Sequence, residues 1–187
     1  MDKGLPSKKA KLFDPKDYVA AYTACYNMCI QPAPHNYTSR LYVRHRETIQ
    51  NYHRNKTLPA LQQTISNLNF SAIASNSCGT SATLFLEELQ RRWNNHQIFS
   101  KWLAKLFHYV DRYYVKHQGL PTLIQQGLQA FKKEVYDKIK AQITLAVLDM
   151  MHDERHRGTL IDATLVTDTV KLYEAMGESL RRVFRTF

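Results

Sequence analysis

Three cysteines, Cys25, Cys29 and Cys78, are all that this chain of 187 residues contains. An odd, sparse count argues against a disulfide framework, and the opening "MDKGLPSKKAKLF" lacks the apolar run of a secretory signal. Together these predict reduced thiols and a location in the cytoplasm and nucleus. No stretch of about 18 apolar residues occurs, so no helix is expected to cross a membrane. Alternating Val and Ile runs closed by Asn-Gly or Asp-Gly are also missing, which argues against hairpins. No helix-pair period repeats. The glycine-bearing stretch "SCGTSAT" lacks the lysine of a phosphate-binding loop. Acid is scarce, 16 Asp and Glu against 26 Lys and Arg, for a formal charge of +10. That balance favours acidic partners, either nucleic acid or an acidic protein surface.

What the chain does contain is helical periodicity. Asp14-Pro15 reads as an N-cap followed by proline at the first helical position, opening a helix that runs to the breaker Pro32-Ala33-Pro34. On it Tyr18, Tyr22, Cys25, Tyr26 and Cys29 recur every three or four residues and share one face. Asn36 or Thr38 caps a second helix that is expected to end near Thr57-Leu58-Pro59. Residues 66–83, rich in small polar side chains, read as a long loop. A short helix "LFLEELQRRWNNH" and another, "IFSKWLAKLFHYVDRYYV", are expected next, the latter ending at Gly119-Leu120-Pro121. Then Leu128, Phe131, Val135, Ile139, Ile143, Val147 and Met150 mark one long helix, or two meeting near Gly127, stopped by Gly158. A last helix starts at Asp162. The predicted class is all-α, with about six or seven helices. Residues 1–13 read as a disordered basic N-terminus, within which Ser7–Lys11 is a short nuclear-localisation pattern that solvated tails also show. Residues 14–187 read as one helical domain.

No catalytic set is legible. His152 and His156 in "MHDERH" stand at i,i+4 and can approach one metal from a helix. The acid between them is Asp153 rather than glutamate, and spacing places no third ligand, so the expectation is the polar end of a helix, not a metalloprotease. Cys25 and Cys29, with His35 nearby, read as small buried side chains rather than a zinc site. No cofactor is expected. The unusual feature is aromatic: Tyr18, Tyr22 and Tyr26 on one helix, and Tyr109, Tyr113 and Tyr114 on another. Tyrosine brings large contact area with little rotamer entropy, which suits a protein-binding surface as well as a core edge.

Longer blocks carry more information. Tyr22–Leu61, with "YNMC", "PHNY", "LY" and "LPAL" in order, resembles the N-terminal region of a cullin of plant type. Trp93–Val115, "WNNHQIFSKWLAKLFHYVDRYYV", is similar to the cullin pattern of Trp, Asn-His, Trp-Leu and Tyr-x-Asp-Arg-Tyr. Leu120–Gly177 continues the family's first repeat. The resemblance implies a helical cullin-repeat bundle and the scaffold role of SCF-type ubiquitin ligases, a non-enzymatic part in ubiquitin-dependent protein catabolism. It implies a dock for a Skp-type adaptor carrying an F-box protein, formed by Tyr18, Val19, Tyr22 and Tyr26 on one helix and Leu106, Tyr109, Val110 and Tyr113 on another. It also makes His152 and His156 surface substitutions. Several departures are expected. Residues 1–13 do not match the family's first helix, residues 62–83 form an irregular insert, and Val19 stands where methionine is usual. The pattern is left after Gly177, so the chain reads as truncated, without a RING partner, and able to compete with longer cullins for adaptors. The alternative reading is a basic helical nucleic-acid binder using Arg181, Arg182 and Arg185, whose binding would fall steeply with salt.

Overall fold

Helices account for nearly all of what the computed structural model describes, residues 14–67, 78–158 and 162–178; no strand occurs among these residues. In chain order they are α1 (Pro15–Cys29), α2 (Thr38–Tyr52), α3 (Leu58–Asn67), α4 (Cys78–Leu106), the short α5 (Lys116–Gln118), α6 (Leu123–Phe131), α7 (Asp137–Arg157) and α8 (Ala163–Ala175). No helix among the described residues is long and apolar enough to cross a membrane. Expectations for residues 1–13 and for Arg181, Arg182 and Arg185 fall outside the described residues.

Among the described residues three wide π-helical turns, His53–Thr57, Val110–Val115 and Lys132–Tyr136, are the feature the sequence reading lacked. The first explains why Pro59 does not end the second helix. In an ordinary helix a proline removes a donor and presses its ring on a carbonyl one turn earlier. Here the Leu58 N–H reaches back five residues to the His53 carbonyl, and the widened turn takes up the misfit, so helix continues into α3. At the other end of the chain, Gly127 is no break. A Cβ built on it would lie 3.0 Å from Ser100 Oγ and 3.7 Å from Ile49 Cδ1, so the glycine lets α6 approach α4 and α2 closely. The irregularity falls instead at Lys132–Tyr136.

The two short helices expected around Asn94-Asn95 are one, α4, 29 residues long. Its buried face runs Leu86, Leu89, Trp93, His96, Ser100 without interruption. Two of those positions are polar, so a count of apolar residues alone sees a gap. The expected insert at 62–83 shrinks in the same way. Residues 62–67 belong to α3 and 78–83 to α4, while 68–77 lie outside the described residues. Thr64 and Ser66 donate their hydroxyls to the Ala60 and Gln62 carbonyls, at 3.0 and 2.9 Å. Their competition with the backbone is thereby spent inside the helix.

Contacts gather in two compact units, each built from separate stretches. The first unit holds residues up to Asn51 and Asn95–Phe131. Its core is Cys29, Tyr42, Val110, Val115 and Leu123, flanked by Leu41, Phe107 and Tyr114. Polar ties fix the connections. Asn36 Nδ2 donates to the Cys29 carbonyl at 2.7 Å while its Oδ1 accepts from Thr38 N–H, joining the end of α1 to the start of α2. Asp111 accepts the Leu123 N–H at 2.9 Å, and Tyr42 donates to the Pro121 carbonyl at 2.9 Å.

The second unit holds Tyr52–Asn94 and the residues from Lys132 onward. The stripe read from the sequence holds here, with Val135, Ile139, Ile143, Val147 and Met150 all buried, as are Phe85, Leu172 and Tyr173. Glu134, also buried, accepts from Arg54 Nη2 at 2.8 Å and Nε at 3.2 Å, and from Lys138 at 3.1 Å. Those donors hold its carboxyl down at about 2 against the opposing effect of burial. Asp162 caps α8 by accepting from the Thr164 and Leu165 N–H groups, as its position before the helix implies.

Candidate docking face

Four-residue spacing on α1 places Tyr18, Tyr22 and Tyr26 one above another. Their rings stack with centroids 6.4 Å and 6.5 Å apart. Tyr26 then meets Tyr109 edge to face at 5.1 Å, and Tyr109 lies 4.6 Å from Tyr113. At the far end Tyr18 packs edge-on against Trp102 at 6.2 Å and its hydroxyl reaches the Lys105 carbonyl at 3.5 Å. The two tyrosine-bearing segments therefore form one continuous ladder of six rings within the first unit. Offset and edge-on pairs of this kind each add roughly 1 kcal/mol beyond their buried area, which holds the rings in fixed poses.

The π-helical turn Val110–Val115 decides which side chains face out. A five-residue turn brings residues five apart onto one side, so Val110 and Val115 both enter the core. Tyr113 is turned outward, its ring under the Arg112 guanidinium at 5.6 Å. Of the eight expected dock residues, Val19, Tyr26 and Tyr113 are 59%, 38% and 53% exposed, and Tyr18, Tyr22 and Tyr109 are half-buried with ring faces in the ladder. Leu106 and Val110 are corrected: at 8% and 1% exposure they lie beneath the surface and shape it from below. The resemblance to the family is what placed them in the dock. Trp102 was missed as a member of the face. Its signal was present, since Trp102, Leu106, Tyr109 and Tyr113 follow at steps of four, three and four.

The remaining candidates come out differently. Cys25 is half-buried and Cys29 buried. Burial pushes both thiols up, Cys25 further through the neighbouring Cys29, so they sit as protonated packing groups. The His152 and His156 rings lie 4.2 Å apart in a hollow of about 260 Å³ with Leu148, Met151 and Arg155. No group of three or more His, Cys, Asp or Glu side chains among the described residues is placed to hold a metal.

The described residues thus form α-helical units, one of which carries an outward aromatic ladder. Comparison with known proteins gives the family. The description "Cullin alpha solenoid domain" matches residues 8–187. The chain is 33% identical to Cullin-1 of Oryza sativa subsp. japonica over 92% of its own length and 21% of that protein's. It is 30% identical to Cullin-2 of Arabidopsis thaliana over 90% of its length and 21% of that protein's. Against Cullin-like protein 3 of Arabidopsis thaliana it is 28% identical, covering 88% of itself and 56% of the relative. The chain belongs to the cullin family. It spans about a fifth of the length of these two cullins. The family match begins at residue 8 and runs to 187, so it takes in part of the tail set aside at 1–13, the insert at 62–83 and the residues after Gly177.

Proposed function

We propose that the tyrosine ladder is the dock for a Skp-type adaptor, and that the chain acts as the adaptor-holding part of an SCF-type ubiquitin ligase scaffold. The role is non-catalytic: the face offers contact area and hydroxyl edges, not a reacting group. The observation that carries the reading is the ladder itself. Rigid amphipathic rings, fixed by mutual stacking and flanked by the open Val19, are the side chains that anchor protein interfaces at low entropic cost. An F-box protein would follow through the adaptor. Holding an adaptor, the chain would compete with longer cullins for it. Cytoplasm and nucleus are the proposed locations.

Co-purification with a recombinant Skp-type adaptor tests this. Val19→Asp places a charge on the open face without disturbing a buried group and is expected to abolish capture while the thermal melt is unchanged. Leu106→Asp is a poor test, because a charge beneath the surface unfolds the unit. Equal capture by Val19→Asp and the parent chain would remove the dock.

A further inference from the structure

Alongside the ladder the first unit carries a groove of about 750 Å³ that none of the expected dock residues explains by itself. Its lining includes the apolar Ile98, Ala104 and Ile124 and the Trp102 ring. Tyr18 and Tyr22 line it too, so the groove and the ladder are continuous. Lys101 and Lys105 stand over it one helical turn apart on α4, both exposed, with the Lys105 ammonium 4.9 Å from the Trp102 ring centroid. Among the described residues neither ammonium has a carboxylate partner, whereas Arg54, Lys138, Lys140 and Lys171 are all paired. Asp111 is the one acid in the lining, and its Oδ1 is occupied by the Leu123 N–H.

We infer that this groove receives an acidic segment of the docked protein partner, an Asp or Glu carboxylate lying between Lys101 and Lys105 and an adjacent apolar side chain resting on Trp102 and Ile124. The inference rests on the ladder being a protein dock, and it adds the chemistry that selects the partner. Two ammonium groups without a carboxylate partner, beside apolar lining, match a carboxylate followed by an aliphatic residue. A nucleic-acid strand needs a track of cations spaced along its phosphates, and the groove offers two. Rim cations of this kind act on encounter rate and partner choice more than on the resting contact, so their contribution is salt-dependent.

The test is calorimetric titration of a recombinant Skp-type adaptor at low and high salt against the parent chain, K101E/K105E and V19D. The double reversal is expected to bind about tenfold more weakly at low salt and to lose most of the salt dependence that the parent shows. Both lysines are exposed, so the fold is preserved and a melt verifies it. Unchanged affinity and salt response in K101E/K105E, with V19D still silent, overturns the groove and leaves the ladder standing. No binding by the parent chain overturns both. A single-stranded oligonucleotide held by the parent and released by K101E/K105E, with adaptor affinity unaffected, overturns the acidic segment in favour of nucleic acid.

Discussion

His53 sits in the first π-helical turn, 1% exposed, its Nδ1 3.1 Å from Thr57 Oγ1 and its ring edge-on to Tyr52 at 5.4 Å. Burial lowers its imidazole from 6.5 to about 4, outweighing the upward pull of the nearby Glu134 carboxylate. The fold thus prefers the neutral ring, and below 6.5 the unfolded chain binds the proton that the folded chain refuses. Stability from this group is complete above about 6.5 and drains away as the pH falls through the window from 6.5 to 4. Taking those limits, acidifying from pH 7.5 to pH 5 removes roughly 2 kcal/mol, and the full loss is roughly 3 kcal/mol. Urea unfolding at the two pH values measures it. A Trp102→Phe background leaves Trp93, buried in the unit that contains His53, as the reporter. His53→Gln keeps a hydrogen-bonding group and removes the titration. It should start less stable at pH 7.5 yet lose about 2 kcal/mol less on acidification than the parent. Parallel losses in the two proteins would refute the assignment of a neutral buried ring.

Two further outcomes follow from the packing. Gly127→Ala alone should lower the melting temperature, because its Cβ meets Ser100 Oγ at 3.0 Å, while Gly127→Ala with Ser100→Ala should be at least as stable as Ser100→Ala, the space being vacated and the helix gaining up to about 1 kcal/mol from the alanine; independent, additive losses would contradict the close approach. Glu134, held at about 2 by Arg54 and Lys138, contributes stability above 4.5 that is lost as the pH falls toward 2. An acid titration followed by circular dichroism should therefore show a flatter limb between 4.5 and 2 in Glu134→Gln than in the parent.

Most of the helical order was legible because its signals are local. Asp14-Pro15, Gly119, Gly158 and Asp162 act within one turn, and the stripe from Phe131 to Met150 repeats at 3.6 residues. What was not legible depends on distant partners. A π-helical turn shifts register by one residue, and nothing in "HYVDRYYV" says that Val110 and Val115 will share a side. Gly127 looks the same on paper whether it breaks a helix or admits a neighbour, and only Ser100 and Ile49 settle it. Pro59 failed as a stop for the same reason as the valines, since the wide turn before it is set by tertiary packing. The ladder was half legible: four-residue tyrosine spacing gave each stack, while the Tyr26–Tyr109 and Tyr18–Trp102 contacts that join them lie across more than 80 residues of chain.

The most direct measurement is the affinity of a Skp-type adaptor for the chain carrying Tyr26→Ala and Tyr113→Ala, two outward rings whose removal leaves the core of the unit untouched. Loss of two aromatic anchors should weaken binding by at least about 30-fold, with the melting temperature held within a few degrees. Affinity equal to the parent's, in a protein that is still folded, would contradict the claim that these rings are the dock.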